Sequence, residues 1–255
     1  MKEDITVFNK YFNVGLFDLT AGGKSSILTI ANFLQEGGMA HGQKIIESGY
    51  LKAEPYLGFI LTRLRIRMNR YPVYNENIRI HTWLSPISDN YIIRNFELFD
   101  DNEKCIGSAV NSAVPFDLQK RKMTTMPDGG RDLIVSEKKA PLPHVFEKIE
   151  APEPPLFSGT IQAGYFDCDL YNHINNTHYL KWALQVLPKE ILAGSFLREV
   201  DINFRAEANF THRIISIAGS CKEGGKNEFL HRLIREDNRK RLILMKSIWE
   251  DTPCT

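Results

Sequence analysis

Residues 167–182 read DCDLYNHINNTHYLKW. Two carboxylates (Asp167 and Asp169), an imidazole (His173) and three amides (Asn172, Asn175 and Asn176) crowd onto the approach to an apolar stripe. Leu180, Ala183, Leu184 and Leu187 follow the i, i+3, i+4, i+7 spacing of an amphipathic helix, which is predicted to start near Thr177 and to stop at Pro188. Asn175 or Asn176 is suited to cap it, because a side-chain oxygen there accepts a free first-turn N–H. A helix tip carries partial positive charge and unpaired donors, so it can hold a developing oxyanion. Further on, NFRAEA at residues 203–208 ends an alternating strand with another carboxylate, Glu207. A carboxylate, a histidine and a helix tip are parts for attacking an activated carbonyl.

Thioester hydrolysis suits such a set. Water must lose a proton, the tetrahedral oxyanion must be stabilised, and a thiol must leave. A thiol has a pKa near 8.5, so it departs with little help from an acid. A carboxylate base and N–H donors at a helix tip then suffice. Taken singly, each residue has an ordinary role. An Asp pair commonly makes turns and caps, a lone His is more often a hydrogen-bonding residue, and a Glu at a strand end is usually solvated. The ordered set carries the reading.

The stretch resembles a motif of the acyl-acyl-carrier-protein thioesterases, hot-dog-fold hydrolases of bacteria and plant plastids. Their pattern is Asp-x-Asp-x-Asn-x-His-Val-Asn-Asn, with a Tyr and a Trp on the following helix. Asp169, His173, Asn175, Asn176, Tyr179 and Trp182 fit it. Glu207 matches the family's strand-end acid, and Ala208 stands where Cys often follows. Residues 61–83, LTRLRIRMNRYPVYNENIRIHTW, are similar to the first-domain strand pair, where RYP is typical. One position departs: the family's catalytic Asn is Tyr171 here, with Asn172 beside it. Either Asn172 or Tyr171 takes that role.

The resemblance implies an α+β chain of two tandem hot-dog domains, each a curled antiparallel sheet wrapped around a long helix. It implies fatty acyl-acyl-carrier-protein hydrolysis, with acyl-CoA hydrolysis and non-catalytic acyl binding on the same fold as alternatives. Glu207 would be the base for water. Asp169 and His173 would position that water or the carbonyl, and N–H groups around Asn175 would complete an oxyanion site. Covalent catalysis by Asp169 is the other route. Tyr171, Asn172 and Asn175 are candidates for orienting substrate. The implied partner is an acyl carrier protein. The implied setting is the cytoplasm, as a monomer or homodimer.

Composition agrees with a globular chain. Its 255 residues are 43% apolar and 25% charged, which leaves room for two modest domains. A net charge of +1 argues against a general nucleic-acid binder. No apolar run approaches the roughly 18 residues of a membrane span, and MKEDITVFNKYF has neither a signal core nor a transit-peptide composition. Cys105, Cys168, Cys221 and Cys254 form no CxxC pair, so reduced thiols are expected. Asp169 beside Cys168 disfavours a thiolate nucleophile. AGGKSS at residues 21–26 lacks phosphate-loop spacing. Neither a metal nor a cofactor is expected.

The chain also repeats itself weakly. Phe17–Asp18 can be laid on Phe166–Asp167, and each pair precedes a polar turn and an amphipathic helix. The first helix is read from Ser26, with Ile27, Ile30, Ala31 and Leu34 on one face. Gly37–Gly38 favours a break or kink there, the alternative being close contact with a neighbour. Alternating strands follow each helix: Leu64, Ile66 and Met68, then Val200, Ile202 and Phe204. Further strands are predicted at 78–84, 91–99 and 105–116, and again at 213–221, 228–235 and 241–249. Pro-rich residues 140–156 read as a semi-rigid connector between an N-terminal domain (1–139) and a C-terminal one (157–255).

The repeat sets Thr20, Lys24 and Tyr71 opposite Asp169, His173 and Glu207, so only the second domain is expected to be catalytic. The first would shape an acyl pocket, with Ile30, Leu34 and Met39 as candidate lining. An acidic carrier would meet a basic face, at residues 119–122 (QKRK), at Arg63, Arg65 and Arg67, or at Arg239, Lys240 and Arg241.

Overall fold

A computed structural model describes residues 5–49, 56–85, 91–126, 136–144, 147–169, 172–221, 225 and 227–251. The chain divides into two units, Met1–Phe146 and Glu147–Thr255. The first contains β1 (Val7–Asn13), α1 (Ile27–Glu47), β2 (Leu57–Met68), β3 (Asn77–Leu84), β4 (Ile92–Phe99), β5 (Cys105–Asp117) and the short β6 (Lys122–Met123). All its pairings are antiparallel, in the order β1-β3-β4-β5-β2, with β6 added to β5.

Ser26 starts α1 by accepting the Thr29 N–H on its Oγ at 3.0 Å, the cap its position predicts. Ile27, Ile30, Ala31, Phe33 and Leu34 form the buried face, which lies against β1 and β3. Phe33 stacks on Phe12 of β1 with ring centroids 4.3 Å apart. Met39 is exposed, whereas Ile30 and Leu34 are buried, so Met39 does not line an interior pocket.

The break favoured at Gly37–Gly38 does not occur; α1 runs through both glycines. A Cβ on Gly37 would stand 3.1 Å from Ile80 Cγ2, and one on Gly38 would stand 3.3 Å from Arg94 Cδ. The missing side chains let the helix settle onto β3 and β4. That contact offsets a helix-propensity cost of about 1 kcal/mol per glycine.

The second unit contains β7 (Phe157–Gln162), α2 (Asn176–Leu184), α3 (Lys189–Gly194), β8 (Ser195–Phe204), β9 (Arg213–Ser220), β10 (Glu228–Arg235) and β11 (Arg241–Asp251). Its order, β7-β9-β10-β11-β8, is again antiparallel throughout and repeats that of the first unit. α2 packs on β9 and β10. The helix predicted to reach Pro188 ends sooner, at Leu184. Leu187 is still buried, but in a turn closed by its N–H to Leu184 O at 3.0 Å. Pro188 then opens α3 as its N-cap, a place where its fixed φ and missing N–H cost nothing.

The connector is laid on the units themselves. Leu142 packs with Ile93 and Val110, and Ile149 packs with Leu230 and Leu244. Pro154 O lies 2.7 Å from where a Cβ on Gly219 would be, so only glycine admits the connector there. Among the described residues, no helix is long and apolar enough to cross a membrane. Cys105, Cys168 and Cys221 are free thiols; Cys254 lies outside the described residues.

Candidate active site

The motif folds into a small closed loop. Asp169 N–H donates to His173 O at 2.7 Å, and Asn172 N–H donates to Asp169 O at 3.0 Å. Asn172 sits at φ 62°, in the left-handed region that Asn tolerates better than most residues. Asp169 Oδ1 accepts the His173 N–H at 3.3 Å. Asp167 ties the loop to what precedes and follows it. Its Oδ2 accepts the Gly164 N–H at 2.7 Å, and its carbonyl accepts the Asn175 N–H at 2.9 Å. Its Oδ1 lies 3.1 Å from His178 Nδ1, off the line of a hydrogen bond. Burial holds His178 below the ordinary histidine range. Tyr171 falls outside the described residues.

The loop is fastened to the strand end that bears Glu207. Ile174 N–H donates to Ala208 O at 3.0 Å. Ala208 N–H donates to the Tyr179 hydroxyl at 2.8 Å, from inside α2. Tyr179 is buried, and burial pushes its hydroxyl well above the usual phenol range, so it stays protonated at neutral pH. With Ala208 held on both sides, the Glu207 carboxylate meets the imidazole: Glu207 Oε2 is 3.4 Å from His173 Nε2. The Glu207 side chain is 42% exposed and that of His173 28%, so both are open to solvent and held by the fold.

Asn175 is the N-cap of α2. Its Oδ1 accepts the Thr177 N–H at 3.0 Å and the Thr177 hydroxyl at 3.1 Å. Its own N–H and that of Ile174 are used as described. Among the described residues, the donor left unused by the chain at this tip is the N–H of Asn176. Its availability follows from the cap geometry and is not legible in the motif. Tyr179 is likewise part of the sequence motif, but its grip on Ala208 depends on a contact across the fold.

The first unit reproduces the backbone hydrogen bonds of the loop without an acid or an imidazole at the positions matching Asp169, His173 and Glu207. Thr20 N–H donates to Lys24 O at 2.8 Å, as Asp169 does to His173. Ser26 N–H donates to Asp18 O at 3.3 Å, as Asn175 does to Asp167. Ser25 N–H donates to Pro72 O at 2.8 Å, as Ile174 does to Ala208. Gly15 is held by Asp18 as Gly164 is held by Asp167. The positions of Asp169, His173 and Glu207 are therefore filled by Thr20, Lys24 and the buried Tyr71.

The three basic clusters differ. Residues 119–122 are exposed around the β5–β6 turn, with Lys120 Nζ 3.3 Å from Asp117. Arg63 is only 5% exposed, so Arg63, Arg65 and Arg67 do not form one open face. Arg239, Lys240 and Arg241 are exposed at the β10–β11 turn.

Two tandem units, each with a helix on an antiparallel sheet of the same strand order, and one loop of acid and imidazole at the second helix define a double hot-dog protein of the α+β class. Models of the acyl-ACP thioesterase N-terminal domain and C-terminal domain match residues 5–134 and 156–251. The chain belongs to the acyl-ACP thioesterase family. It is 26% identical over 251 residues to the chloroplastic palmitoyl-acyl carrier protein thioesterase of Cuphea hookeriana, covering 92% of this chain and 60% of that protein. It is 23% identical over 284 residues to the chloroplastic oleoyl-acyl carrier protein thioesterase 1 of Arabidopsis thaliana, covering 99% of this chain and 78% of the relative. The crystal structure of an acyl-ACP thioesterase from Bacteroides thetaiotaomicron shares the fold, with a TM-score of 0.84 and 23% identity over 98% of this chain and all of that one.

Proposed function

We propose that the chain hydrolyses the thioester of a fatty acyl-acyl carrier protein, releasing free fatty acid and holo-carrier protein in the cytoplasm, with one active site in the C-terminal unit. The observation that carries this reading is the His173–Glu207 pair, 3.4 Å apart, beside the tip of α2. Glu207 takes a proton from water as the water oxygen attacks the acyl carbon. His173 and Asp169 hold that water and the carbonyl in line, and the Asn176 N–H faces the developing oxyanion. The tetrahedral intermediate collapses with loss of the thiolate, which needs little acid assistance and recovers the proton from Glu207. The first unit, with Thr20, Lys24 and Tyr71 at the matching positions, shapes the acyl pocket.

The test is thiol release from acyl-carrier-protein and acyl-CoA thioesters of equal chain length, measured side by side. Faster release from the carrier protein is expected. Preference for CoA would replace the carrier reading, and no release from either would leave an acyl binder. The exposed β5–β6 turn is the proposed docking face. Changing Lys120, Arg121 and Lys122 to Glu should raise KM for the carrier-protein thioester and leave an acyl-pantetheine nearly unaffected, because steering by charge acts outside the pocket.

A further inference from the structure

The second unit carries a recess of about 450 Å³ lined by Arg205, Arg232, Ile234, Arg239 and Arg241. It lies on the face of the sheet away from α2. His231 and Ser216 point to the helix, where they donate to Ala183 O at 2.8 Å and to Trp182 O at 2.9 Å. Strand alternation therefore turns Arg232 and Ile234 to the other side. Ile234 pairs with Arg241 across the β10–β11 ladder, and Arg205 N–H donates to Leu242 O at 2.8 Å. Arg239 stands on the turn at φ 57°.

Four guanidinium groups thus converge from three places in the sequence. Neighbouring arginines are neutralised, Arg213 by Glu236 at 3.3 Å and Arg235 by Asp237. Among the described residues, no carboxylate pairs with Arg205, Arg232, Arg239 or Arg241, and Arg232 Nε is buried without a hydrogen-bond partner. Like charges gathered in a recess repel one another and attract an anion. Guanidinium forks match the oxygens of a phosphoryl group, to which they bind in a bidentate manner.

We propose that this recess is a binding site for a phosphoryl group. Two sources share that chemistry: the phosphate on the pantetheine arm of the thioester substrate, and a free phosphorylated small molecule. The first source rests on the hydrolase reading above; the site itself does not. Inorganic diphosphate titrated calorimetrically at about 0.15 M salt, where the Debye length is about 8 Å, reports the site directly. Wild-type protein should bind it. The exposed double variant Arg239→Gln/Arg241→Gln should bind at least about tenfold more weakly, and a control that removes the same charge elsewhere, Lys148→Gln/Lys189→Gln, should bind as wild type. Absence of diphosphate binding, or equal weakening in both variants, overturns the site.

Turnover then separates the sources. If the arginine variant raises KM for an acyl-phosphopantetheine but not for the acyl-pantetheine lacking that phosphate, the ligand is the substrate's own phosphate. If it loses diphosphate binding with both KM values unchanged, the ligand is a free phosphorylated molecule. A protein that binds diphosphate and releases no thiol would sink the hydrolase reading and leave the site standing.

Discussion

Ala208 is fixed at both of its backbone polar groups, by Ile174 on one side and the Tyr179 hydroxyl on the other. The carboxylate one residue earlier is therefore presented to His173 by the fold and not by its own side-chain freedom. Glu207→Gln keeps the shape and removes the proposed base, so turnover should fall by at least about 100-fold with little change in unfolding free energy. Near-wild-type turnover in folded protein would take Glu207 out of the mechanism. Tyr179→Phe is expected to act differently. It leaves the buried Ala208 N–H without an acceptor, which costs about 1–3 kcal/mol, and it loosens the strand end. Denaturant unfolding and turnover should both decline. Loss of turnover with unchanged stability would instead give the hydroxyl a direct chemical role.

At the scale of the element, α1 distinguishes glycines that are needed from one that is not. A Cβ on Gly37 would stand 3.1 Å from Ile80, while one on Gly42 would meet nothing within 4 Å. Gly42→Ala should stabilise the protein by about 0.5–1 kcal/mol, the helix-propensity gain in the absence of a clash. Gly37→Leu forces a side chain between α1 and β3 and should destabilise by about 1–3 kcal/mol. Urea midpoints measure both. A Gly37→Leu variant as stable as wild type would show that the close approach of α1 to β3 is not maintained in solution. α2 shows a complementary case: periodicity carries its apolar face as far as Leu187, whereas the helix itself ends at Leu184. A buried turn satisfies the same apolar spacing as a helix.

At the scale of the whole molecule, each unit buries a neutral histidine. His41 donates from Nε2 to Ile5 O at 2.9 Å and accepts from Arg94 on Nδ1 at 2.7 Å. Burial, with the Arg94 charge next in weight, brings its pKa down to about 4. His231 donates from Nδ1 to Ala183 O and accepts the Ser247 hydroxyl on Nε2, each at 2.8 Å, and burial brings it to about 4 as well. In the unfolded chain both titrate near 6.5. Between pH 6.5 and 4 the unfolded state therefore binds more protons, so stability is complete above that window and falls as pH drops through it. Each histidine contributes up to about 3 kcal/mol by this linkage. Urea unfolding at pH 7.5, 6 and 5 should show the decline; a flat profile would contradict the buried neutral state of both rings.

Much of this protein is written locally. Laying Phe17–Asp18 on Phe166–Asp167, with a helix of the same apolar spacing after each, disclosed the repeat, and runs of apolar and polar residues placed β3, β4, β5, β9, β10 and β11 nearly at their observed limits, because caps and strand faces depend on neighbours in sequence. The edge strands β1 and β7 were not among the predicted strands; with one sheet neighbour each, they leave their residues half-buried or exposed. Other features depend on register between distant strands, and only the tertiary structure decided them. The approach of Glu207 to His173 needs Ala208 pinned by α2 and the loop together. The passage of α1 through Gly37 and Gly38 needs Ile80 and Arg94 opposite. The gathering of Arg205, Arg232, Arg239 and Arg241 needs β8, β10 and β11 side by side. Sequence spacing specifies which face a side chain takes on its own element; which side chains meet is settled when those faces are packed.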